Sequence, residues 1–229
     1  MTTSATYSFN PSLGEISLYS YQLIGIRPSA VLQEHMEAAR MATNMMLSNW
    51  SNRGVNLWAV DLVTVPLVQG QSTYTVDSNT VVMLDAYIST TTGSQTTDRI
   101  IMPISRTEYA NYPNKQQQGF PTTFWYDRLL SPNVTIWPVP DGTQTNLKYY
   151  RVKQLQDANM QGAETVDVPY LWLEAFADGL AYRLAKVWNP AVAPALKGVA
   201  DETYGIASRQ NIETAQQFIS PQVFGYYRP

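Results

Sequence analysis

The chain has 229 residues, of which 15 are basic and 18 acidic, so the net charge is −3 and only 14% of the side chains are charged. That balance excludes most nucleic-acid binders of the basic-patch type, which need clustered Lys and Arg to release counterions. A content of 45% hydrophobic and 12% aromatic residues argues against a chain that stays unfolded, and the lack of cysteine excludes disulfides, thiol catalysis and thiolate metal sites.

Ser, Thr, Asn and Gln number 67, so the chain is polar without being charged. Uncharged surfaces rich in aromatics are common where protein meets protein. No basic region followed by an apolar run lies near Met1, so no secretory signal is expected, and no ~18-residue apolar window suggests a membrane span. Residues 1–14 read as an arm of Ser, Thr, Asn and Pro with little periodicity.

A short helix is predicted from about Glu15 to Gly25, stopping before Arg27-Pro28 because a residue before proline avoids the α region. A longer helix is predicted over Ala30–Asn52 with Ser29 as N-cap. Leu32, Met36, Ala39, Thr43, Met46 and Trp50 fall at alternating four- and three-residue steps and make one stripe. Gly54 follows as a stop.

From residue 60 the pattern changes to short β-rich runs. Seven strand candidates occur: around Val63–Leu67, at Thr73–Val76, Val81–Ile88, Arg99–Ile104, Thr122–Tyr126, Val134–Trp137 and Leu147–Val152. Turn residues such as Pro140-Asp141-Gly142 separate them. Their number and spacing predict a small sandwich or barrel. A short helix is expected over Ser105–Tyr112 and a loop at Asn114–Gly119.

Helical signals return at Asp167-Val168-Pro169. Leu173, Phe176, Ala177, Leu180, Leu184, Val187 and Trp188 make a wide apolar face ending at Asn189-Pro190. A last helix is predicted from Pro194 to about Asn211, weakened by ~1 kcal/mol at each of Gly198 and Gly205. The tail beyond holds Phe218, Ile219, Val223, Phe224, Tyr226 and Tyr227 with little helical order. Exposed apolar groups on a loose terminus suggest a partner that covers them, so these six are the partner-binding candidates.

The fold class expected is α+β. Helices over 15–58 and 167–212 form a bundle, an antiparallel β-sandwich or barrel over 59–166 is inserted, and 1–14 and 213–229 are extended termini.

No catalytic, cofactor or metal residue is assigned. Glu174 and Asp178 share a helical face and read as solvated. Glu164 and Asp167 suit a helix start, where acids favour the macrodipole. Asp127-Arg128 reads as a local ion pair or turn. His35, the only histidine, lies between Glu34 and Met36 and reads as partly exposed and structural. One histidine without cysteine is a poor transition-metal set. Phe124, Trp125, Tyr126, Trp137, Tyr149 and Tyr150 read as core or subunit contact, and less well as a flat sugar-binding platform.

An ordered series of segments resembles a known family. It comprises Leu23-Ile24-Gly25-Ile26; Asn44 to Trp50 followed by Gly54 and Leu57-Trp58; Gly70 to Val76; Arg106 to Tyr109; Gly119 to Asp127; Val134 to Pro140 with Tyr149-Tyr150; and Val168-Pro169 before Glu174-Ala175, Gly179 to Ala181 and Leu184-Ala185. Over about residues 15–212 the chain resembles the head-to-tail adaptor, tail-accessory or packaged-DNA-stabilisation proteins of short-tailed double-stranded-DNA phages.

That resemblance implies a non-enzymatic virion protein without cofactors. It implies a homo-oligomeric ring, usually of twelve copies, at the head–tail junction, assembled in the host cytoplasm. The implied partners are the portal protein and a downstream tail or nozzle protein. Double-stranded DNA would pass through the channel without sequence-specific binding, and no membrane is involved. The ring would extend the DNA conduit and help retain, then release, the genome. A mildly acidic wall suits this, because it repels phosphate. The alternatives are a carbohydrate-binding or cell-wall-degrading tail module and a cellular scaffolding or adhesion protein.

Overall fold

A computed structural model describes residues 5–54, 57–159 and 163–211. Helix α1 (Leu13–Leu23) begins two residues before its expected start because Ser12 caps it. The Ser12 hydroxyl accepts from the Glu15 amide, and the Glu15 carboxylate accepts from the Ser12 amide at 2.7 Å. This reciprocal pair satisfies amides that a helix start otherwise leaves open. It also holds the Glu15 carboxyl below its ordinary pKa, chiefly through the Ser12 amide.

Helix α2 (Gln33–Ser51) starts later than predicted. Ser29 is not its N-cap: it lies in a separate 3-10 turn at Pro28–Ala30. The chain straightens through Val31 and Leu32, and the Leu32 amide donates to His35 Nδ1 at 3.1 Å. The predicted stripe is buried at Ala39, Thr43, Met46 and Trp50, while Leu32 lies exposed outside the helix.

All seven strands form: β1 (Val60–Pro66), β2 (Thr73–Thr75), β3 (Thr80–Thr92), β4 (Gln95–Pro103), β5 (Thr123–Tyr126), β6 (Asn133–Trp137) and β7 (Asn146–Lys153). They do not pair as a two-sheet sandwich. They make one curled sheet, a half-barrel, in the order β1-β7-β3-β4-β5-β6-β2. Nor is it wholly antiparallel, because β4 and β5 run parallel, with Met102 opposite Thr123. Between them helix α3 (Arg106–Asn111), capped by Ser105, carries the chain back to the same end, as a parallel pair requires.

After a 3-10 turn at Tyr170–Trp172, helix α4 (Leu173–Trp188) packs against α1, α2 and α5 (Ala193–Ser208). Phe176, Leu180 and Leu184 are fully buried on α4, each worth roughly 1.5–3 kcal/mol of burial. Gly179 lets α2 come close: a Cβ there would lie 2.7 Å from Met46 Sδ.

The sheet has an apolar core on each face, because side chains alternate along a strand. On the inner face of the curl, Ile88, Ile101, Phe124, Val134, Ile136, Leu147 and Tyr149 form one cluster. Val152, with partly buried Val60, Val82 and Leu84, faces the other way and joins the helical cluster built on Trp50, Trp172 and Phe176. Among the described residues, the helices cover only that end of the outer face.

Candidate interaction surfaces

The residues weighed for chemistry are dispersed and structurally engaged. His35 is buried rather than partly exposed, at 7%. Its ring stacks on Trp188 at 4.1 Å between centroids and meets Tyr21 edge-on at 5.3 Å. The Tyr21 hydroxyl donates to the His35 carbonyl, and burial pushes the Tyr21 pKa up to about 12. The helix pattern hid this, because His35 lies one position outside the predicted stripe yet turns inward with Ala39 and Met46.

Glu174 is exposed as expected, but Asp178 is only partly exposed. It sits half-buried beside Thr203 of α5, and burial raises its pKa. Glu164 and Asp167 do not cap α4. Asp167 Oδ2 accepts from the Gln156 amide at 3.1 Å, and both Glu164 oxygens accept from the Asn159 amide. They tie down the segment after β7, which passes close to them before the chain reaches α4. Asp127 makes a turn contact: its Oδ1 accepts from the Asn133 amide at 2.5 Å across the β5–β6 connection.

The aromatic group divides. Phe124 and Tyr149 are core residues. Trp125 stacks on Tyr109, and Trp137 on Tyr112 at 4.1 Å, so a tyrosine ring covers one face of each indole. Trp137 Nε1 also donates to the Asn114 carbonyl at 3.0 Å.

Sequence reasoning missed one buried charge. The Arg151 guanidinium on β7 meets Asp61 of β1 at 2.8 Å and Asp77 at 3.3 Å, and donates to Asn79 and Thr80 at 2.7 and 3.0 Å. Its pKa is raised, first by the Asp61 hydrogen bond. The clamp joins β1, β7 and the β2–β3 connection. Its hydrogen-bond partners lie 71 to 90 positions away, and no local pattern signals such a set. Among the described residues no group of three or more His, Asp or Glu is placed to hold a metal, and no helix is long and apolar enough to cross a membrane.

What the surface offers is apolar contact area. On the outer sheet face beyond the helices, Leu62 stands opposite Tyr150 and Tyr87 opposite Ile100, with exposed Met102 two positions on. The Tyr87 and Tyr150 rings lie 6.4 Å apart, and Lys148 sits over Tyr87. A second group, Met41 and Met45, stands on the free side of α2. Leu129 and Leu130 project from the β5–β6 connection, Leu130 at 98% exposure. Contiguous apolar groups of this kind mark contact sites in soluble proteins. The six candidates of the tail, Phe218, Ile219, Val223, Phe224, Tyr226 and Tyr227, lie outside the described residues.

No curated protein matches the chain. The family model of the SU10 adaptor protein matches residues 29–218, which takes in α2, the whole sheet, α4 and α5. With that match over most of its length, the chain belongs to the SU10 adaptor protein family, a family of phage head–tail adaptors.

Proposed function

We propose that this protein is a virion subunit that forms an adaptor ring, of twelve copies, between the portal vertex and the tail. The ring extends the DNA channel and helps retain and then release the packaged genome. The observation that carries the reading is the family match over residues 29–218. Two features of the molecule support it. Exposed apolar groups stand on separate parts of the surface, and a closed ring needs two different complementary faces per subunit. The net charge of −3 suits a conduit through which DNA slides without being gripped. The tail residues Phe218 to Tyr227 dock on the portal or an adjacent subunit.

Electron microscopy of the purified protein mixed with its portal tests the reading: a ring seated on the portal is expected, and a solitary molecule that ignores the portal overturns it. Deleting residues 213–229 is expected to abolish attachment. Normal attachment of the truncated protein refutes the role of the tail.

A further inference from the structure

We propose that the N-terminal arm of one copy adds as a strand to the open edge of β1 in a neighbouring copy. The half-barrel is left open between its two edge strands, β1 and β2, and no described strand pairs with the outer side of either. A cavity of about 450 Å³ lies in this seam, lined on one side by Val63, Val65 and Tyr149 and on the other by Val76 and Ser131. Val63 and Val65 point into the curl yet are only half-buried.

Edge strands are commonly blunted by proline and by inward charges. Here Asp61 is turned to Arg151 and Pro66 ends the strand, so both ends of β1 are guarded. The stretch from Leu62 to Val65 has no such device.

The arm has the complementary pattern. It shows no helical period, but from Ala5 to Asn10 apolar and polar residues alternate: Ala5, Tyr7 and Phe9 against Thr6, Ser8 and Asn10. That is a strand period, and no residue side chain before Glu15 is charged. Residues 5–11 form no regular element, and Tyr7 and Phe9 are 103% and 70% exposed. Tyr7 and Phe9 are two apart, as are Val63 and Val65. A paired strand therefore places both rings over both valines and into the cavity, with aromatic facing β-branched side chain.

The geometry favours a neighbour's edge over the arm's own. The arm is rooted in the helical layer, where Ser12 bridges to Thr165 and Phe9 lies against Tyr170. The seam opens on the inner face of the curl, and the helices pack on the outer face. Donor and acceptor thus lie on different sides of one subunit, the arrangement that a head-to-tail ring repeats. The main-chain pairing is that of strand addition at an exposed sheet edge. The inference rests on the ring reading for its neighbour, but not on the portal or the tail.

The absence of cysteine makes the test clean. In the full chain, Ser8→Cys with Thr64→Cys places two thiols directly opposite in either strand direction, away from the anchoring rings and valines. Under mild oxidation, read by non-reducing gel and mass spectrometry, the expected result is disulfide between chains, giving a ladder of covalent multimers. Adding Tyr7→Ser and Phe9→Ser is expected to cut the linked fraction at least about tenfold while the circular dichroism spectrum stays unchanged. A link only within one chain, or no link at concentrations where light scattering shows multimers, overturns the strand exchange and leaves the ring standing. A chain that remains monomeric and unlinked at every concentration also overturns the exchange.

Discussion

Replacing Arg151 by Met is the sharpest test of how the half-barrel is held to itself. Met keeps most of the apolar stem and removes the fork. Arg151 is 8% exposed, so its charge is sheltered, whereas the side chains of Asp61 and Asp77 are 37% and 61% exposed. The two carboxylates regain water when the fork goes, which moderates the loss well below the roughly 3–5 kcal/mol typical of breaking a fully buried pair. Asn79 and Thr80 lose their donor, and Thr80 is buried, so an unpaired hydroxyl adds roughly 1 kcal/mol or more. Together these give a destabilisation of about 2–3 kcal/mol. Urea unfolding followed by circular dichroism reads it as a midpoint lower by about 1 M, taking a slope near the upper end of the usual range. Asp61→Asn is expected to lose much of the same energy and Asp77→Asn little, since Asp77 is the more exposed partner. The double variant Arg151→Met with Asp61→Asn is expected to lose less than the two single losses added. A midpoint for Arg151→Met within ~0.2 M of the parent would refute the assignment of the clamp as the tie between β1, β7 and the β2–β3 connection.

Two further outcomes follow from the helical layer. Asp178 has its pKa raised in the fold, so its contribution is fully present below its unfolded value, near 3.8, and is lost as pH rises through the higher folded value. Asp178→Asn is therefore expected to be more stable than the parent at neutral pH, with the gain shrinking toward about pH 3; a variant less stable at neutral pH, by thermal melts across pH, contradicts this. Gly198 lies inside α5, and a methyl group added at its Cα would meet nothing within 4 Å, so Gly198→Ala is expected to raise stability by up to about 1 kcal/mol, or about 2–4 °C in melting temperature. A lower melting temperature would show that the glycine is needed where it stands.

Local patterns in the sequence specified most elements. β-Branched and aromatic runs between turn residues located all seven strands, because those residues suit a pleated, half-buried surface whatever its neighbours are. Three- and four-residue apolar spacing located α2, α4 and α5, since a helix buries a stripe. Helix starts were less legible. Ser29 offered a hydroxyl in a plausible place, yet Pro28 set a separate turn and His35 supplied the bond to the Leu32 amide instead.

Only the tertiary structure decided how the strands pair, which side of the chain is covered, and which charges meet. Seven strands of this composition serve a sandwich as well as a curled sheet; the choice lies in pairings such as β1 with β7, where Asp61 and Arg151 are 90 positions apart. Burial of His35, the Arg151 clamp and the open seam between β1 and β2 arise from contacts of that long-range kind. Periodicity records which side of an element is apolar, but the partner across the gap is fixed by packing of segments distant in sequence.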